Sequence, residues 1–370
     1  MNTPFENIGK GAPVFTPIQT RIVQEETPLF DIAVIGAGPA GANFARLVQS
    51  KGKTILVIHD ESREKPCGGL LSPDAQRVLA SYDATLPSEV LASPQIFAVR
   101  VIDMQNGLVR RYPRHYLNMK RDAFDAWLRS LMGNGVTYVN ARCVKLSDED
   151  RHFRIRLSDG TEYTADKLVG ADGASSIVRR TFFPTSVCRR YTAIQQKFLA
   201  ESENPFYSCI YDSETSPACS WILFKDGVMT FGGAFAQKNS RKAFEAQKKR
   251  LVAGGFVSEK AFANPIETEA CEVLCPTFRG YCTGNDRIFL LGEAAGFISA
   301  SSFEGISYAL LSGEALAKAI HTARPAKTYH ALTAKLRLKA REKSIKRNIL
   351  ASDMLRSMIM RSGITSIKNR

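Results

Sequence analysis

Apolar and polar positions change period along this chain, and the changes mark its elements. Residues 31–35 read Asp-Ile-Ala-Val-Ile, a β-branched strand-like run, and Phe44, Leu47 and Val48 then fall at helical spacing. Thr54-Ile-Leu-Val-Ile58 predicts a second parallel strand, which closes a strand–helix–strand unit around a helix at 40–51. Residues 97–118 and 191–235 alternate instead and are rich in aromatics, as in Tyr207-Ser-Cys-Ile-Tyr211, Trp221-Ile-Leu-Phe224 and Val228-Met-Thr-Phe231. With turns at Asp226-Gly227 and Gly232-Gly233, that pattern predicts antiparallel sheet. Helical spacing returns at 121–131 and 240–253. Residues 269–275 read as strand, and 166–172 and 287–292 as short apolar strands ending in small or acidic residues. The expected fold is therefore α/β, with a Rossmann-like domain interrupted by an antiparallel-sheet domain. Its parts are a loose tail at 1–28, a discontinuous α/β domain at 29–90, 119–187 and 277–325, the sheet domain at 91–118 and 188–276, and a helical region at 326–370.

Gly36-Ala-Gly38-Pro-Ala-Gly41 sits where the first strand turns into the first helix. The first glycine permits a tight turn, the second lets the backbone approach a diphosphate, and the third lets helix and strand pack closely. The helix N–H groups then face the anion. This context predicts a bound dinucleotide pyrophosphate. Such folds carry an acidic residue just after the second strand to hold the adenosine ribose. That position falls at His59, with Asp60 behind it, and either side chain suits the role.

The chain has 370 residues, 44% of them hydrophobic, enough for a large core shared by two joined domains. No apolar run reaches the eighteen or so residues of a membrane span. Residues 1–28 are polar, carry Pro4, Pro13, Pro17 and Pro28, and lack a signal-peptide core. Eight cysteines without a CxxC point to reduced intracellular thiols rather than a disulfide scaffold or a metal site. Cys271 and Cys275 would share a strand face as core thiols. The net charge of +14 is concentrated: residues 321–370 hold thirteen Lys/Arg against Glu342 and Asp353, or +11. Leu336, Ile345, Ile349, Leu355 and Ile359 are interleaved among them at roughly helical spacing. This basic amphipathic segment suits either an anionic membrane surface or a helix packed on the body. Nucleic acid is not expected, because no aromatic platform or reading helix accompanies the charge.

Two further turns end strands with glycine beside a carboxylate: Val169-Gly170-Ala-Asp172-Gly173-Ala-Ser-Ser176 and Phe289-Leu-Leu-Gly292-Glu293-Ala-Ala-Gly296. With Gly36–Gly41 they resemble the three fingerprints of the para-hydroxybenzoate-hydroxylase structural class of FAD enzymes, with Glu293 where the class usually has aspartate. Lys120-Arg121-Asp-Ala-Phe124-Asp125-Ala-Trp127-Leu128 resembles the RxxFDxxL helix of that class. Lys65-Pro66-Cys67-Gly68-Gly69-Leu70 resembles the PCGG segment of the geranylgeranyl-reductase family. Trp221 and Lys225 stand in its WxFPK position, with Leu223 and Phe224 replacing phenylalanine and proline. Segments such as Ala193-Ile-Gln-Gln196, Pro205-Phe-Tyr-Ser-Cys-Ile210, Glu304-Gly-Ile-Ser-Tyr-Ala-Leu310 and Ile359-Met-Arg-Ser-Gly363 bring the chain nearest to the bacterial CbrA-type flavoproteins of that family.

The resemblance implies FAD as cofactor. Gly36, Gly38, Ala40 and Gly41 would hold its diphosphate, and Glu293 a ribitol hydroxyl. Gly292 and Gly296 would clear space, and Asp172 and Gly173 would support the turn over the cofactor. Cys67, Gly68, Gly69 and Arg121 would lie against it. The helix start at Gly305 and Ile306 would face the ring with free N–H groups, stabilising negative charge on its reduced form. The implied reaction is saturation of carbon–carbon double bonds in an isoprenoid or related lipid. In it Cys67 serves as proton donor or packs beside the ring. Tyr207, Trp221, Phe224 and Phe231 would line an apolar tunnel or form plain core, and Lys225 would meet a diphosphate headgroup or remain solvated. No second GxGxxG offers a nicotinamide site, so NAD(P)H or another donor would bind transiently. An FAD monooxygenase acting on an aromatic or polyketide-like molecule, and a non-catalytic flavin-binding membrane-associated protein, are the alternatives. The expected location is cytoplasmic, peripheral at the inner membrane.

Overall fold

The computed structural model describes residues 28–49, 52–63, 65–185, 188–200, 206–278 and 280–367. The expected tail at 1–28, apart from Pro28, lies outside the described residues, as does Pro205. Strands and helices are numbered along the chain. One sheet contains β1 (Leu29–Ile35), β2 (Ile55–His59), β6 (Val136–Asn140), β7 (Cys143–Glu149), β8 (His152–Leu157), β9 (Glu162–Gly170) and β15 (Ile288–Leu290). Its order is β6-β2-β1-β9-β8-β7, with β15 also paired to β9. The strands β6, β2, β1, β9 and β15 run parallel, and the central β1, β2 and β15 are buried, which explains their near-continuous apolar sequences. The antiparallel β7–β8 hairpin at the other edge was not foreseen. In β7 only Leu146 is buried, so its sequence lacks the apolar run that betrays the central strands.

The second sheet has the order β14-β10-β13-β12-β11-β4-β5-β3. Its strands are β3 (Leu70–Leu71), β4 (Ile96–Asp103), β5 (Leu108–Asn118), β10 (Arg189–Leu199), β11 (Tyr207–Tyr211), β12 (Ser220–Lys225), β13 (Val228–Ala236) and β14 (Glu267–Cys275). The expectation of an antiparallel sheet holds except at one seam, where β4 and β11 run parallel because the chain leaves the sheet between them. Leu70 and Leu71 pair with Asn118 and Leu117, so the segment after Cys67 is stitched onto this sheet from the other domain.

The helices are α1 (Pro39–Val48), α2 (Pro73–Ala80), α3 (Arg121–Ser130), α4 (Ile177–Phe182), α5 (Ser240–Ala253), α6 (Ile306–Ala319), α7 (Pro325–Leu332), α8 (Ala334–Ala351) and α9 (Asp353–Ser362). α6 crosses α1 so closely that a Cβ on Gly313 would stand 2.7 Å from the Ala40 carbonyl. Asn43 Nδ2 donates to the Leu310 carbonyl at 2.8 Å across the same crossing. α5 covers one face of the second sheet through Phe244 and Leu251. The other face looks towards the loop at 298–303 and the parallel-sheet domain. α8 and α9 pack on the body through Leu336, Ala340, Ser344, Arg356 and Met360, and leave Leu338, Ile345, Met354, Met358 and Ile359 exposed.

Candidate cofactor and active site

β1 ends at the carboxyl edge of the parallel sheet, where open α/β sheets bind ligands. Gly36 has φ +101°, and a Cβ there would lie 2.5 Å from the Ala171 carbonyl oxygen. A Cβ on Gly41 would lie 1.9 Å from the Gly36 carbonyl oxygen, so helix and strand can meet only through glycine. Gly38, by contrast, has no atom within 4 Å of a would-be Cβ. α1 starts there with no side-chain cap and no acid in its first turn, so its orphan N–H groups face open space. Gly173 (φ +71°) also opens onto free space. Asp172 Oδ2 caps α4 by accepting from Ile177 N–H at 2.6 Å, while buried Oδ1 has no partner among the described residues. Burial raises the Asp172 pKa, against the hydrogen bonds from Ser176, Ile177 and Val178. An uncapped helix start, open glycines and an orphan carboxyl oxygen on adjoining turns fit a dinucleotide of the FAD type.

Buried Arg179 holds the second and third turns together, donating to the carbonyls of Ala174 (2.6 Å) and Ala294 (3.1 Å). Gly292 N–H donates to Ser312 Oγ at 2.9 Å, and Gly296 (φ +84°) passes so close to the Gly280 carbonyl that a Cβ would be 2.5 Å from it. The Glu293 side chain departs from the expected ribitol role. Oε1 accepts from the Leu274 N–H at 2.8 Å and Oε2 pairs with Lys65 Nζ, because the extra methylene relative to aspartate carries the carboxylate across to β14. Burial, the largest single influence, would lower the Lys65 pKa, but the charge and hydrogen bond of Glu293 together with Cys271 outweigh it and the net shift is upward.

Lys65 leads into the Cys67-Gly68-Gly69 turn, which lies on β12. A Cβ on Gly68 would be 2.9 Å from Leu223 Cδ2, and one on Gly69 2.1 Å from Lys225 Nζ. The Gly69 N–H donates to Cys67 Sγ at 3.4 Å. Arg121, the first residue of α3, bonds Asp125 Oδ1 at 2.8 Å and also reaches the Cys67 thiol; these partners raise its pKa although burial opposes them. Half-buried Cys271 joins this group, its pKa pushed up to about 11 mainly by burial. Lys65, Cys67, Arg121, Cys271 and Glu293 thus converge from four separate segments. The sequence reading singled out Cys67, Arg121 and Glu293 and missed Lys65 and Cys271, although Lys65 adjoins the PCGG segment and the spacing of Cys271 had put it on one face with Cys275.

Three expectations need correction. Phe224 and Phe231 lie on the sheet face turned to α5, where Phe231 stacks on Phe244 with ring centroids 5.1 Å apart. They are core residues, because strand alternation sends them opposite to Trp221. Lys225 neither meets a headgroup nor remains solvated: its Nζ donates to the carbonyls of Met119 (2.5 Å) and Gly68 (3.0 Å), and burial lowers its pKa. The start of α6 is not free either. Half-buried Glu304 accepts from both the N–H and the hydroxyl of Ser307 at 2.8 Å, so a carboxyl occupies part of the helix end beside Gly305 and Ile306. Burial raises the pKa of that carboxyl.

Tyr207 and Trp221 lie on the face of the second sheet turned away from α5. The Trp221 ring fills the space left by Gly232 and its buried Nε1 lacks an acceptor among the described residues. Tyr207 meets Tyr116 edge-on at 5.5 Å. His59 ends β2, with its pKa lowered chiefly by burial. The Asp60 carboxylate is taken up by Ser62 N–H at 3.2 Å and the Ser62 hydroxyl at 2.5 Å.

The sequence model of the pyridine nucleotide-disulphide oxidoreductase family matches residues 30–196. A geranylgeranyl bacteriochlorophyll reductase-like protein from Thermoplasma acidophilum superimposes with a TM-score of 0.76 at 17% identity, covering 88% of this chain and 89% of its own. Pseudomonas aeruginosa PqsL, solved in complex with 2-aminobenzoylacetate, gives 0.67 at 17% identity, covering 88% and 96%. The architecture is thus that of FAD-dependent oxidoreductases and monooxygenases. Protein CbrA of Escherichia coli O9:H4 is 44% identical over 351 residues, 91% of this chain and 94% of that protein. At that identity over that much of both proteins, the chain belongs to the CbrA family.

Proposed function

We propose that the protein is an FAD-dependent oxidoreductase that saturates carbon–carbon double bonds of an isoprenoid or related lipid. The observation that carries this reading is the position of Cys67. Its Sγ accepts from the Gly69 N–H just before the chain joins the second sheet at Leu70, and it also meets Arg121 at the start of α3. Bound FAD would supply hydride chemistry at its ring. The chain supplies the rest. Gly36, Gly38 and Gly41 hold the diphosphate, and the Lys65–Glu293 pair and Lys225 clamp the Cys67 turn. The Cys67 Sγ proton goes to the alkene carbon opposite the one that receives hydride. The basic helices α8 and α9, with exposed Leu338, Ile345, Met354, Met358 and Ile359, would hold the protein on an anionic lipid surface. Among the described residues no helix is long and apolar enough to cross a membrane.

The test is an absorbance spectrum of the purified protein, then anaerobic reduction with NADPH or dithionite, then addition of a prenyl diphosphate or extracted polar lipid. Flavin bands that bleach and then recover with lipid in the absence of oxygen are the expected result. Recovery only on admitting oxygen would replace this reading with a monooxygenase. Absence of flavin after reconstitution with FAD would overturn both.

A further inference from the structure

An open cavity of about 80 Å³ lies where the end of β11, the loop before α6 and the last turn of α8 meet. Tyr211, Cys219, Ser301, Arg347, Leu350 and Arg356 are among its walls. Ser301 belongs to the 299–304 loop, closed by Ser299 N–H to the Glu304 carbonyl and Phe303 N–H to the Ser299 carbonyl, both at 2.9 Å. The cavity therefore opens beside the loop that leads into α6, next to the end of β11 in the second sheet.

The charges around it do not cancel locally. Asp212 lines the wall, but its Oδ1 accepts from Gln105 at 2.8 Å and its Oδ2 from Thr215 (2.7 Å) and Arg250 (3.0 Å). Arg356 is matched twice, its Nη2 reaching Asp103 at 2.8 Å and Asp353 at 2.7 Å. Arg347 is different. Its Nη2 is pinned by two neutral acceptors, Tyr191 Oη at 2.9 Å and the Pro217 carbonyl at 3.2 Å. Among the described residues no carboxylate pairs with it, and its buried Nε has no acceptor. The buried Nε of Arg356, on the same cavity, also lacks one. Nearby, Lys346 feels the like charges of Lys343 and Arg114, which add to burial in lowering its pKa. A half-buried guanidinium held at a cavity wall by neutral acceptors is placed to pair with an entering anion.

We propose that this cavity receives the carboxylate or phosphate group of the substrate, with Arg347 as its counter-ion and Ser301 as a second donor. The inference rests on the reading that substrate lies between the second sheet and the cofactor, and narrows that substrate to a molecule bearing an anionic group. It also gives part of the basic C-terminal charge an inward use, since Arg347 lines the cavity.

The experiment titrates the FAD-loaded protein with inorganic pyrophosphate and, separately, with benzoate, at constant ionic strength, by calorimetry. Saturable binding of at least one probe is expected, and the probe that binds distinguishes a phosphate from a carboxylate group. Arg347→Met should weaken it at least about tenfold. Arg347→Lys, which retains charge but cannot span Tyr191 and an anion together, should fall between. Lys242→Met, on the exposed side of α5, should leave the affinity unchanged. Equal affinity in Arg347→Met and the parent, or no saturable binding of either probe, overturns the proposal. Flavin content is measured on every sample. Normal flavin with no anion binding defeats this inference alone, whereas a parent that takes up no FAD defeats the functional reading beneath it.

Discussion

Lys65 and Glu293, 228 residues apart, close an ion pair over the seam between the two sheets, and the second Glu293 oxygen is held by the Leu274 N–H. Lys65→Met leaves that carboxylate buried, its side chain only 10% exposed, without a cation. Full burial of both partners would make this cost about 3–5 kcal/mol, but the Lys65 side chain is 35% exposed, so about 2 kcal/mol is expected. Urea unfolding of the FAD-free protein measures it. The double replacement Lys65→Met with Glu293→Met should cost less than Glu293→Met and Lys65→Met added together. Strict additivity would show that the pair is not coupled.

Gly38 and Gly41 separate ligand binding from folding. Gly38→Ala adds a methyl group where nothing lies within 4 Å, so the FAD-free protein should melt as the parent does while FAD binds at least about tenfold more weakly. Gly41→Ala drives a Cβ into the Gly36 carbonyl and should lower stability by about 1–3 kcal/mol before any ligand is added. Thermal melts with and without FAD check both, and an unaltered FAD affinity in Gly38→Ala would remove the diphosphate from this turn.

The elements with strong local patterns were legible in the sequence. β1, the Gly36 turn, α1, α3 and α5 all follow from apolar period and glycine placement, and α5 coincides with its expected span of 240–253. The β7–β8 hairpin was not, because β7 buries only Leu146 and so lacks an apolar pattern, and the parallel β4–β11 seam was not, because a long connection rather than local sequence sets it. The site divides the same way. Glycines announce themselves, since backbone approach leaves no alternative residue. The directions of Glu293, Lys225 and Glu304 were invisible, because each long polar side chain could reach several acceptors and only the assembled neighbours select one.

Lys225 should behave as a clamp and not as a substrate contact. Lys225→Met strips a donor from the Met119 and Gly68 carbonyls and should cost about 1–3 kcal/mol while loosening flavin retention. A pyrophosphate titration of that variant should match the parent once FAD is supplied in excess. A selective loss of anion affinity with stability unchanged would return Lys225 to the headgroup.

Phe231 and Trp221 make an internal comparison on neighbouring strands. Phe231→Ala opens a void against Phe244 and Phe262 and should cost about 3–5 kcal/mol. Trp221→Phe removes a buried N–H that has no acceptor, so the free protein should lose little stability, and any loss seen only in substrate turnover marks Nε1 as a substrate contact. Denaturation midpoints and steady-state rates on the two variants separate core from site.

Glu304 gives the protein a pH signature with a definite sign. Burial raises its pKa above the ordinary 4.5, so the native state binds this proton more tightly than the unfolded chain does. Its contribution to stability is therefore complete below the unfolded value and is lost as pH rises through the native one. Glu304→Gln cannot ionise yet keeps an acceptor for the Ser307 N–H. Stability of the variant relative to the parent should then climb as pH is raised from about 4, with a slope of at most about 1.4 kcal/mol per pH unit, and level off once Glu304 is ionised. The other shifted carboxyl groups, Asp172 among them, titrate in both proteins and cancel in the difference. Urea midpoints across the range read the effect directly. A difference that stays flat would mean Glu304 is solvated in the folded chain, and would restore the open helix end that the sequence led us to expect at Gly305.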